Sequence, residues 1–205
     1  MEMSNYDITR EQAKKIFLQY DQKEIIRKWK LSYDASYLYV KFVNRDYRID
    51  REIGTIEWSK VDFTSTIEAD FNVTLTIFDI LCCSKEGCHA TGQYDILKNL
   101  KGTGCGGDPG RDIYDPYKKI FDKKSDLLSM ACTELVGEPF AVGDVAYIIP
   151  VFGDLKMLFQ FWESDDEFEA EMKLKWDTNV LSYMRFETVY YAMGHVLQRL
   201  KEIMN

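Results

Sequence analysis

Residues 143–177 read GDVAYIIPVFGDLKMLFQFWESDDEFEAEMKLKWD, and their pattern decides the fold. Taken in twos, Val145, Tyr147, Ile149 and Val151 fall on one side of an extended chain. Leu155, Met157, Phe159 and Phe161 repeat the rule after Gly153-Asp154. Phe168, Ala170, Met172, Leu174 and Trp176 repeat it again after Asp165-Asp166-Glu167. A period of two sustained over so many positions signals strands with one face on a core. Three consecutive antiparallel strands with acidic joins are therefore expected.

Upstream, Thr9-Arg10-Glu11-Gln12 reads as a capping box ahead of a helical stripe, Ala13, Ile16, Phe17 and Tyr20. Asp21-Gln22-Lys23-Glu24 repeats the box before Ile25, Ile26 and Trp29, giving a second short helix or a restart of the first. From Tyr37 the period changes to two: Leu38, Val40 and Phe42 alternate with Tyr37, Tyr39 and Lys41. Asn44-Arg45-Asp46 then offers a turn before Tyr47 and Ile49, and Ile53 to Trp58 supplies a third strand. Ser65-Thr66-Ile67-Glu68 is a further capping box, so a central helix over 65–83 is expected, buried along Ile67, Phe71, Leu75, Phe78 and Cys82. Residues 84–112 are broken by seven glycines and Pro109, with a short element at Tyr94 to Leu100. Asp115-Pro116 reads as a helix start with Pro in the first turn, and Ser125 as another. The last helix uses Val189, Met193, Val196, Leu197, Leu200 and Met204.

A chain of 205 residues is long enough for one domain with a real core and short for two, so a single domain over 1–205 is the expectation. A formal net charge of −8 repels a phosphate backbone or an anionic membrane surface, so neither nucleic acid nor membrane is the expected partner. The N-terminal residues lack a basic segment followed by an apolar one, and no run approaches the ~18 apolar residues of a membrane span. A cytoplasmic location is the corresponding expectation. Five cysteines spread over the chain do not make a disulfide framework, and reduced thiols are expected.

Three constellations carry chemistry. Cys82, Cys83, Cys88, His89 and Cys105 offer thiolate and imidazole ligands of the kind zinc takes, four at about 2.0–2.3 Å. Their spacing lacks the two close pairs of a structural zinc site, and Cys82 lies on the apolar stripe, where free cysteine acts as a small hydrophobe. Gly102-Thr103-Gly104-Cys105-Gly106-Gly107 has the glycine content of an anion cradle, but Asp108-Pro109 follows it where a phosphate loop would enter a helix; the other reading is a flexible turn or lid. Asp165, Asp166 and Glu167, with Asp144, Asp154, Asp177 and Glu187, gather at one end of the sheet if the strands close as expected, as metal ligands or as an acid and base pair. Against that stands the plainer reading of turn residues bonding their own backbone. Two histidines and no Gly-x-Ser-x-Gly leave nucleophilic catalysis without a motif.

Gly143-Asp144-Val145, Pro150-Val151, Phe161 to Phe168, Trp176-Asp177-Thr178-Asn179, Tyr183 and Glu187 together resemble a family of anaerobic bacteria and archaea catalogued as domain of unknown function 3786. The likeness is clearest from Gly143 to Leu197. It carries over no established activity and leaves the cofactor open. It points to Trp162, Asp165, Glu167, Phe168, Asp177 and Glu187 as the places to look.

The resulting expectation is an α+β fold with antiparallel meanders at about 37–58 and 145–176 and helices packed mainly on one face. Its expected function is a small-ligand or partner-binding accessory domain with candidate ligand-binding residues Trp162, Asp165, Glu167, Asp177 and Glu187. The alternative is a metal-assisted enzyme using a carboxylate cluster at the sheet end, with Cys88, His89 and Cys105 as further metal candidates.

Overall fold

The computed structural model describes residues 4–100 and 110–205. Two compact units divide the chain: Met1–Cys88 with Ser182–Ala192, and His89–Leu181 with Met193–Asn205.

The first unit opens on α1 (Asn5–Phe17) and α2 (Gln22–Trp29). α1 begins a turn earlier than the Thr9 box indicates: Ser4 is its N-cap and accepts from the Asp7 N–H at 3.2 Å. Thr9, already inside the helix, donates its hydroxyl to the Asn5 carbonyl. Asp21 caps α2 as expected, and Lys30, in the left-handed conformation, ends it.

A five-stranded antiparallel sheet comes next, β1 (Ser32–Tyr33), β2 (Tyr37–Phe42), β3 (Arg45–Asp50), β4 (Ile56–Trp58) and β5 (Ile67–Glu68), in sequential order. The β2–β3 hairpin turns on Val43 and Asn44, both at positive φ, one residue before the turn read from sequence. A β-branched residue disfavours that conformation, and here Val43 holds it while fully buried. The sheet is one-sided: Leu38, Val40, Phe42, Tyr47, Ile49 and Ile56 are buried. Lys14 of α1, itself nearly buried, reaches Glu68 of β5 at 2.9 Å.

The Ser65 capping box does not start a helix. Ile67 and Glu68 pair with Trp58 and Glu57, and α3 (Phe71–Cys83) starts from Asp70, whose carboxylate takes the Val73 N–H at 2.9 Å. Two cap candidates five residues apart compete, and the residues between them go to the sheet edge. α3 buries Val73, Thr76, Ile77, Ile80 and Leu81. The stripe expected in the core, Phe71, Leu75 and Cys82, is only half-buried.

The second unit holds β6 (Tyr94–Ile96), α4 (Gly110–Phe121), α5 (Ser125–Glu134), β7 (Glu138–Pro139), β8 (Val145–Phe152), β9 (Leu155–Trp162) and β10 (Glu171–Asp177). Its sheet runs β6-β10-β9-β8-β7, antiparallel throughout. The α+β class stands, with the two meanders in two separate sheets. The register sets Val145 beside Phe161, Tyr147 beside Phe159 and Ile149 beside Met157, and Met172, Leu174 and Trp176 continue those rows. This is the face read from sequence, and Phe121 of α4 meets it edge-on at Phe159 and Phe161. The middle strand β9 is buried on its other face too, through Leu158 and Gln160.

β10 starts at Glu171 rather than Phe168, which is 69% exposed. The Asp165 carboxylate takes the N–H groups of Glu167 and Phe168 at 2.8 Å each, and this turn diverts the chain before the strand begins. α4 also begins earlier than the Asp115-Pro116 signal, so Pro116 lies inside the helix and leaves the carbonyl one turn back without an intrahelical donor. α5 starts at Ser125 as expected. The last helix, α6 (Phe186–Met204), gives its first two turns to the first unit and the rest to the second. Among the described residues no helix is long and apolar enough to cross a membrane.

Candidate functional site

The residues singled out by sequence occupy three places. Asp165 and Glu167 lie in the exposed β9–β10 connection, where backbone N–H groups hold the Asp165 carboxyl below the usual carboxylate range. That connection is pinned from α4 and its C-terminal side. Asp122 accepts from the Ser164 N–H and hydroxyl, Glu163 accepts from those of Ser125, and Lys123 bonds the Ser164 carbonyl. Half-buried Trp162 carries the Lys173 ammonium 5.0 Å from its ring.

Asp177 sits at the other end of β10, and a seven-residue strand separates the two by about 20 Å at roughly 3.3 Å per residue. It is fully buried. Its carboxylate takes the N–H groups of Thr91 and Gly92 at 2.8 Å and of Asn179 at 2.9 Å, with the Thr91 hydroxyl at 3.1 Å. Asp154 takes the Ala90 N–H, and Asn179 donates to the His89 carbonyl. Residues 89–93 are thus stitched to the sheet end, and Asp177 is occupied as a clamp. The carboxylate cluster expected at one sheet end is not assembled, because the acids are spent on turns at opposite ends of one strand.

Among the described residues the cysteine group does not assemble either. Cys88 is half-buried with its N–H on the Lys85 carbonyl at 3.3 Å, and Cys105 and the glycine run 102–107 lie outside the described residues. Among the described residues no group of three or more His, Cys, Asp or Glu is placed to hold a metal ion.

Glu187 belongs to the first unit, and there it lines a cleft of about 300 Å³ that sequence reasoning did not locate. Three helical segments form the walls. α1 supplies Thr9, Gln12, Ala13, Ile16 and Phe17; α3 supplies Leu75, Phe78, Asp79, Cys82 and Cys83; the chain entering α6 supplies Arg185, Glu187, Thr188 and Tyr191. Phe17 stacks on Phe78 with centroids 4.7 Å apart and closes the floor. At the mouth, buried Asp79 accepts from the Arg185 Nε at 2.6 Å and from its backbone N–H at 2.7 Å. Leu75 and Cys82 of the half-buried stripe line this space, whereas Phe71 packs edge-on against Tyr6 and Tyr191. The available signal was that stripe itself: an apolar row on a helix needs a cover, and a small ligand is one form of cover.

A profile for a domain of unknown function, DUF3786, matches residues 21–199. The chain belongs to that family. No curated protein and no solved structure matches it. In this DUF3786 chain the match takes in α3, Arg185 and Glu187, while the α1 wall of the cleft lies outside the matched span.

The two thiols in the cleft are neutral at physiological pH. Burial, and next to it the neighbouring Cys83, pushes Cys82 up to about 12. Burial and then the Asp79 hydrogen bond raise Cys83 as well. A thiol whose pKa is raised forms thiolate only at higher pH, so iodoacetamide is expected to label Cys82 negligibly at pH 7.5 in the folded protein. Mapping the alkylated residues by mass spectrometry at pH 7.5 and pH 10 checks this, and rapid labelling of Cys82 at pH 7.5 would contradict a protonated, buried thiol.

Proposed function

We propose that this domain is a cytoplasmic accessory module that binds a small, largely apolar molecule in the cleft of its first unit. The observation that carries the reading is that Leu75 and Cys82 of α3, only half-buried, line a cleft floored by the buried Phe17–Phe78 stack, although an apolar helix stripe ordinarily packs. A volume of about 300 Å³ stands at the lower end for small-molecule sites, and the mix of apolar walls with a few polar groups at the mouth is the composition such sites have. The apolar lining of the cleft supports binding as the reading preferred over catalysis.

A thermal-shift screen against small apolar and amphipathic metabolites tests it. A ligand at 100 times its Kd stabilises the native state by about 2.7 kcal/mol. Ala13→Trp, which fills the cleft from the α1 side, is expected to abolish the shift that a hit produces on the native protein. A hit whose shift is unchanged in that variant binds elsewhere, and a screen without hits counts against the module as a ligand binder.

A further inference from the structure

Resting on the cleft reading above, we propose that the ligand is a monocarboxylate with an apolar body, held at its charged end by Arg185. The guanidinium is anchored on one side only. Its Nε and the residue's own N–H both go to the Asp79 carboxylate, and the Asp79 side chain is 2% exposed whereas that of Arg185 is 69% exposed. Among the described residues the two terminal nitrogens have no hydrogen-bond acceptor. A guanidinium held by its Nε still offers the parallel pair of N–H bonds that fits the two oxygens of a carboxylate. Asp79 is therefore a positioning residue: it fixes the plane of the fork and aims the free edge.

The rest of the cleft selects the body attached to the charged end. Ala13, Ile16 and Leu75 offer apolar surface above the buried Phe17–Phe78 stack and no charge, and the thiols of Cys82 and Cys83 are neutral and polarisable. The charge at the mouth limits the head group to one negative charge. Exposed Glu187 stands two residues from Arg185, and Asp79 already neutralises part of the guanidinium, so a dianionic phosphate monoester meets two carboxylates for one cation. A monocarboxylate meets the same groups at half the cost.

Displacement of a fluorescent probe from the full chain tests this. N-phenyl-1-naphthylamine, uncharged and aromatic, reports on the apolar cleft, and octanoate, octanol and octyl phosphate compete against it. Octanoate is expected to displace the probe at about tenfold lower concentration than octanol, the worth of one well-placed charged hydrogen-bonded pair. Arg185→Gln is expected to remove that preference, read as the ratio of octanoate to octanol potency on the same variant. Glu187→Gln, an exposed change in the first turn of α6, is expected to favour octanoate by about threefold by removing a like charge. Equal potency of octanoate and octanol on the native protein, an octanoate preference that survives Arg185→Gln, or stronger displacement by octyl phosphate would each overturn the monocarboxylate. Failure of the uncharged probe to bind would overturn the cleft itself, a result distinguishable from the others.

Discussion

Asp177→Ala is expected to lower the unfolding midpoint by roughly 8–16 °C, the consequence of about 4 kcal/mol lost in a chain of this size. The figure comes from the bonds the carboxylate makes. It is fully buried and takes three backbone N–H groups, those of Thr91, Gly92 and Asn179, as well as the Thr91 hydroxyl. A hydrogen bond to a charged acceptor is worth about 1.5–3 kcal/mol, and leaving its donor unpaired in a partly buried place costs about as much again, though such losses do not add fully. An alanine offers no acceptor, and only water entering the vacated space recovers part of the loss. Asp177→Asn separates shape from acceptor capacity: the amide fits, but its NH₂ faces donors, so most of the loss remains. Hydrogen exchange gives the local readout. The amides of Thr91 and Gly92 lose protection in Asp177→Ala ahead of those in the centre of β9. A midpoint unchanged by Asp177→Ala would show that residues 89–93 need no clamp.

Asp79→Ala tests a second buried carboxylate and couples stability to the cleft. The ion pair with Arg185 contributes little of its own, since the guanidinium is mostly in water and solvent screens it. The larger loss is the acceptor for the Arg185 N–H, at the entry to α6, where the first N–H groups of a helix lack intrahelical partners. Together these amount to about 2 kcal/mol, or roughly 4–8 °C in the midpoint. The freed guanidinium is also no longer oriented, so the octanoate preference is expected to fall towards that of Arg185→Gln although Arg185 is still present. Asp79→Asn, which retains one acceptor oxygen, is expected to recover part of both losses. A stability loss with the octanoate preference intact would leave Asp79 a structural residue and remove it from ligand positioning.

Much of the second unit was legible in one dimension. The alternation from Val145 to Trp176 names the face that packs against Phe121, and the register Val145–Phe161–Met172 comes from aligning those rows. The errors share a cause. Ser65, Thr9 and Asp115 each carry a valid local signal for a helix start, and in each case another residue nearby, or the surrounding packing, sets the boundary instead. Phe168 keeps the parity of the strand, yet the Asp165 carboxylate captures two amides and turns the chain out before pairing begins.

What the sequence by itself determined is what depends on neighbours along the chain: α+β class, strand faces, most element positions and the membership in DUF3786 that the run from Gly143 to Glu187 suggested. Only the tertiary structure decided that Asp165 and Asp177 end on opposite ends of β10, and that α1, α3 and the entry to α6 leave an apolar stripe open beside Arg185. The physical reason is that periodicity reports which side of an element avoids water. What stands on that side, another helix, a sheet or a vacant cleft, is set by residues as far as 106 positions away, as Asp79 and Arg185 are.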